Sequence, residues 1–222
     1  MMYREYEHAG VEQRAEATLA GQVFGLLGFS LLFTAGGAIL APWLGPGAFL
    51  LSLVLSFGSL IALWFLREKS PINLGLFYLF SVAEGLLLGL VVEAYIARGL
   101  GSVVVNAAAT TAALVLALSA YAWTTKRDLS GLGSILTVGL FGIIIAGILN
   151  LLFFHATMLS LVISAATAVI FSGFVLYDMQ RLRSAKGGMG DAIMFAVAIY
   201  LDIFNLFLSL LQILGFLGGR EE

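Results

Sequence analysis

The chain has 222 residues, of which 61% are hydrophobic and 11% charged, and its net charge is −2. A soluble domain is typically about 45–50% apolar and about 25% charged, so a water-soluble fold would have nowhere to put this much apolar surface. The near-neutral balance excludes a basic field for nucleic acid, and the lack of cysteine excludes disulfides, thiolate catalysis and Cys-ligated metals.

The first segment, MMYREYEHAGVEQRAEA, is polar and mixed in charge. No apolar core precedes a small-residue cleavage site, so no signal peptide is expected, and residues 1–21 read as a cytoplasmic segment. A bilayer-spanning helix needs roughly 20 mostly apolar residues. Seven such runs follow, at 22–41, 47–66, 74–96, 102–123, 133–153, 157–177 and 192–217. Turn chemistry separates them: Pro42 and Pro46, then Pro71, then Gly99 and Gly101, then Asp128, Ser130 and Gly131, and finally Gly187, Gly188 and Gly190 before the seventh. Residues 22–217 therefore read as one seven-helix transmembrane domain, with a short tail at 218–222. The loops leave no room for a soluble domain, and no internal repeat is visible. Glycine is abundant, at 26 residues against 3 prolines, which suits closely packed membrane helices.

Lysine and arginine set the orientation. With the N-terminus inside, the cytoplasmic segments hold Arg4, Arg14, Arg67, Lys69, Lys126, Arg127, Arg181, Arg183 and Lys186, while the other side holds only Arg98 and Arg220. This is the asymmetry of the positive-inside rule, and seven spans then put the C-terminus outside.

Apart from Glu93 near the outer end of the third run, three acidic residues fall within the apolar runs or at their ends: Glu84, Asp178 and Asp202. A charge at mid-bilayer costs at least about 2.5–3.5 kcal/mol, so such groups face a protein interior or water and usually have a function. Asp178 and Asp202 lie twelve residues before and twelve after Gly190, so an antiparallel hairpin predicts equal depth, roughly 10–15 Å from the cytoplasmic surface. In the seventh run Asp202, Asn205, Ser209 and Gln212 follow steps of three and four and form one polar face. That face either lines a cavity or only holds helices together by hydrogen bonds. Two carboxyls in contact share a proton and titrate as a unit. Glu84, beside the GxxxG pair Gly85 and Gly89, either lines a cation path or bonds across a helix interface. Glu93 reads as interfacial, His155 as a turn cap and His8 as part of the tail. No pair of histidines suggests a transition-metal site.

The stretches TTKRDLSGLG at 124–133, FSGFVLYDMQRL at 171–182 and AIYLDIFNLFLSLLQIL at 198–214 resemble the Bax inhibitor-1 (TMBIM) family, its bacterial members above all. The resemblance implies an all-α membrane protein, a seven-transmembrane-helix bundle whose last helix is central and enclosed by two three-helix layers. It also implies a pH-sensitive calcium leak of the bacterial plasma membrane, gated by a di-aspartyl pair matching Asp178 and Asp202, with Arg67 at the end of the second helix as gating partner. Glu84, Asn205, Ser209 and Gln212 are then expected along the pore. No tightly bound cofactor is expected; Ca2+ is the permeating ion, in transient contact with Asp178 and Asp202, and the partners are the bilayer, Ca2+ and protons.

The same residues bear on rival readings. A retinal protein needs a lysine in its last helix, and Lys69, Lys126 and Lys186 all fall in loops. An intramembrane aspartyl protease would pair Tyr177–Asp178 with Gly188–Met189–Gly190–Asp191, but Asp191 falls at a helix start, where it reads as an N-cap. The chain is therefore not expected to be an enzyme. A non-transporting membrane modulator of a protein partner, such as a membrane protease, is the main alternative.

Overall fold

A computed structural model describes residues 2–45 and 47–219, with side chains from Leu19 onward. Pro46 and Arg220, and the side chains of Arg4, His8 and Arg14, lie outside the described residues. Among the described residues there are seven helices long and apolar enough to cross a bilayer. They are α1 (Met2–Leu44), α2 (Gly47–Leu66), α3 (Ile72–Ile96), α4 (Gly101–Thr124), α5 (Leu132–Leu149), α6 (Thr157–Ser184) and α7 (Met189–Gly218).

The helices outrun several of the apolar stretches that predict them. Hydrophobicity decides where a segment can sit in lipid, whereas backbone hydrogen bonding decides how far a helix runs. Helix α1 thus extends back through the polar segment to Met2, and α6 continues past residue 177 to Ser184. At its other end α1 passes through Pro42 and stops two residues later, at Leu44, before Gly45, whose φ of +56° a side chain would disfavour. Large apolar side chains lie on the outside: Trp43, Trp64, Phe65, Val138 and Val169 are each more than two-thirds exposed. On helices long and apolar enough to cross a bilayer this is lipid-facing surface. Trp43 and Trp64 stand at opposite ends of α2's flanks, near helix termini, as interfacial tryptophans do. Helix α7 is the most enclosed span, with half of its most apolar window buried.

The chain divides into two compact units. The first holds the chain up to Ala94 with Leu182–Val197. Within it α1 crosses α3 on glycine. A methyl group at Gly85 would collide with the Thr34 carbonyl, and one at Gly89 with the Ala38 carbonyl and the Ala41 side chain. Pro42 has no N–H to bond the Ala38 carbonyl, so that oxygen is free of its helical partner where it meets Gly89. Buried Ser30 and Thr34 return their hydroxyls to backbone carbonyls three and four residues earlier.

The second unit holds Tyr95–Arg181 and the chain from Ala198 on. Here α5 ends in a π turn over Asn150–Phe154, closed by the His155 N–H donating to the Asn150 carbonyl at 2.8 Å. His155 takes the left-handed conformation, φ 50°, so it caps the turn as expected, through its backbone. Asn150 organises the turn into α6: its Nδ2 donates to Ser160 Oγ at 2.7 Å, and its Oδ1 accepts from the Ala156 N–H at 3.0 Å.

Candidate proton and cation site

Asp178 on α6 and Asp202 on α7 are both buried in the second unit, each about 5% exposed. Their carboxyl groups stand within hydrogen-bonding reach of each other. With both groups ionised no donor lies between them, and among the described residues Asp202 Oδ2 is then buried without a hydrogen-bond partner. Two carboxyls in such contact are held together only where a proton lies between them. They meet although their distances from the facing helix ends differ. Asp178 is six residues before the end of α6, whereas Asp202 is thirteen after the start of α7.

The cation on Asp178 is Arg181, one helical turn along α6. Its Nη1 reaches Asp178 Oδ1 at 3.1 Å, and its guanidinium stacks over the Tyr177 ring at 5.3 Å. Arg181 is half exposed, so the pair is partly screened by solvent. Sequence reading missed this role because it ended the helix with the apolar run at 177. The signal was present as an Asp and an Arg three residues apart, a spacing that places both on one helical face.

These residues border a cavity of about 630 Å³, lined by Ser130, Ser134, Thr137, Tyr177, Asp178 and Arg181 among others. Its wall is assembled from two of the sequence motifs noted above. The Gln180 side chain clamps the loop between α4 and α5, accepting from the Leu129 N–H at 2.7 Å and donating to the Arg127 carbonyl at 2.8 Å. Gly133 lies against the Tyr177 ring so closely that a methyl group there would sit 2.7 Å from it. Asp128, in the same loop and outside the spans, has its carboxyl held below the ordinary carboxylate range by the Ser130 N–H. It is ionised well before neutrality and contributes no proton switch there.

The remaining predicted residues divide by place. Along α7, Asn205 and Ser209 bond backwards on their own helix, to the carbonyls of Leu201 and Asn205. Gln212 makes the interhelical bond, accepting from Ser164 Oγ of α6 at 2.5 Å. Glu84 lies in the first unit, buried on α3, and accepts from Ser56 Oγ of α2 at 2.8 Å. Arg67, also in the first unit, pairs through Nε with Glu68 at 3.4 Å. Its carbonyl accepts from Asn73 Nδ2 and packs against Gly190 at the start of α7. Asp191 is not the N-cap; it sits in the first turn of α7 and accepts from the Gly188 N–H at 3.2 Å, which makes Gly188 the cap. Among the described residues no three acidic or histidine side chains converge as a metal site. Two carboxyls are too few for the six to eight oxygens Ca2+ prefers, so this pair alone is no calcium cage.

Seven bilayer-length helices, lipid-facing apolar surface and acidic groups enclosed between helices define an α-helical integral membrane protein. The chain belongs to the Bax inhibitor family: residues 17–219 match the family described as inhibitor of apoptosis-promoting Bax1. It is 34% identical over 207 residues to an uncharacterized protein of Campylobacter jejuni, covering 90% of this chain and 88% of that one. It is 34% identical over 180 residues to an uncharacterized membrane protein of Streptococcus pyogenes serotype M6, covering 78% and 75%. It is also 38% identical over 169 residues to the Golgi anti-apoptotic protein of vaccinia virus, covering 76% and 69%.

Proposed function

We propose that this chain is a pH-sensitive calcium leak in which Asp178 and Asp202 jointly hold or release the controlling proton. The observation that carries the reading is the approach of the two buried carboxyls beside a polar cavity, one of them paired with Arg181. With one proton between them the groups form a hydrogen bond that ties α6 to α7. Loss of that proton replaces the bond with repulsion between like charges, partly offset by Arg181. Either state is a different packing of the same two helices, which is what a gate requires. Ca2+ suits a path lined by carboxylate, hydroxyl and carboxamide oxygens.

The distribution of Lys and Arg supports placing the Asp178 end of the path in the cytoplasm, with the N-terminus on that side. The family resemblance adds Arg67 as a gating partner, a role in which its guanidinium exchanges Glu68 for a new acidic partner. The test is calcium flux in proteoliposomes across pH. The wild-type chain is expected to show a pH-dependent flux and Asp202→Asn a flat one. A variant profile that superimposes on the wild type sinks the reading.

A second reading is a non-transporting modulator of a protein partner; the vaccinia relative is named for an anti-apoptotic role rather than for transport. Undiminished activity in cells of any variant that carries no calcium in proteoliposomes would support it over the leak.

A further inference from the structure

The second unit contains another cavity, about 250 Å³, at the opposite end of α6 and α7 from Asp178. Tyr95, Arg98, Thr157, Ser160, Gln212 and Gly215 are among the residues that line it. Gln212 is exposed there, while Ser164, its hydrogen-bond partner, is 4% exposed and lies directly behind it. The polar face of α7 runs from this point to the acidic pair, through Ser209 and Asn205 to Asp202. Ten residues separate Gln212 from Asp202, about 15 Å along the axis. Ser209 is buried between the two ends.

We propose that the Ser164–Gln212 hydrogen bond is a second gate, which closes the polar face of α7 off from the cavity at the Gln212 end. This deepens the calcium-leak reading and rests on it for the identity of the ion. Several features suit the pair to that task. It joins α6 to α7 at Gln212, which lines the cavity, so a cation following the α7 face would meet it there. The Ser164 hydroxyl has two acceptors within reach, Gln212 Oε1 at 2.5 Å and the Ser160 carbonyl at 2.9 Å, for its one hydrogen. Turning the hydroxyl to Ser160 releases Gln212 without leaving Ser164 unsatisfied, so the bond can break at little cost in the membrane interior. Ser160 itself is anchored to Asn150 at the π turn, which keeps the alternative acceptor in place. Gln212 carries no charge, so this gate has no titration of its own; Tyr95 and Arg98 are the titratable side chains beside it in the cavity lining.

The chain contains no cysteine, which gives the proposal a test that does not depend on flux. Ser209→Cys is introduced alone, with Gln212→Ala and with Ser164→Ala, and reaction with a small water-soluble methanethiosulfonate is timed in proteoliposomes. The expected result is slow labelling of Ser209→Cys alone and labelling at least ten times faster with either second change. Equal rates in all three chains overturn the gate, whether or not the protein conducts. In calcium flux, Gln212→Ala and Ser164→Ala should each raise the rate several-fold at the pH where the wild type is slowest, leave the pH midpoint in place, and add nothing to each other when combined. A moved midpoint, or additive increases, also overturns the proposal. If labelling accelerates while no chain carries calcium, the gate stands and the calcium-leak reading fails.

Discussion

In the proposed proton switch, Arg181 is the side chain placed to set the working range of the acidic pair. Its guanidinium is 3.1 Å from Asp178 and is oriented by the Tyr177 ring. That positive charge favours the ionised form of the pair, so removing it lets the proton stay bound to higher pH. Arg181→Ala is therefore expected to move the midpoint of the flux-against-pH curve upward by about one unit, a modest shift because half the guanidinium is in solvent. Arg181→Lys keeps the charge but loses the planar stacking on Tyr177, and should fall between the two. A midpoint unmoved in Arg181→Ala would mean that Asp178 is not one of the groups being titrated. Asp178 and Asp202 were legible in the sequence because an acid inside an apolar run is costly and conspicuous. Arg181 was not, since it lies just beyond the hydrophobic stretch and looks like one more loop charge. Gln180 was hidden for another reason: it binds backbone at Arg127 and Leu129, and backbone carries no sequence signal.

Among the elements, the crossing of α1 and α3 depends on glycine more than on any large side chain. Gly85 and Gly89 read as a close-contact pair from their spacing alone, and both are backed by carbonyls of α1. A carbonyl on a helix backbone cannot step aside as a flexible side chain can. Gly85→Ala should therefore lower stability by about 1–3 kcal/mol, the usual range for overpacking. Gly58, inside α2 with nothing within 4 Å of the position a methyl would take, is the control. Gly58→Ala should be neutral or gain about 0.5–1 kcal/mol from reduced backbone freedom in the unfolded chain. Thermal unfolding in detergent reads both, and equal melting temperatures for the two variants would remove the close crossing from the account. The spacing of Asp202, Asn205, Ser209 and Gln212 was equally readable, but only as a face. Which helix meets that face depends on rotation and offset, and neither is encoded in one helix; hence Ser164 was not foreseen as the partner of Gln212.

At the level of the whole molecule the number of spans was the most legible property, because lipid imposes a length and a composition on every segment that crosses it. The helix ends were less so. Helix α1 has 43 residues, about 65 Å, roughly twice the hydrocarbon thickness. Its polar first portion must then stand outside the lipid on one side, and the charge distribution says which. Of the eleven Lys and Arg residues, nine fall in the segments that share a side with that portion. Moving that set across an energised membrane is opposed by the transmembrane potential and by attraction to the anionic cytoplasmic leaflet. The loop after α4 should therefore be cytoplasmic and the loop after α3 exterior. Because the chain lacks cysteine, a single substitution reports on each loop: Arg98→Cys should react with a membrane-impermeant maleimide on intact cells, and Lys126→Cys only after the membrane is opened. The reverse labelling pattern would invert the protein in the membrane. The Asp178 end of the path would then sample the external pH, and the proton switch would answer to the surroundings of the cell.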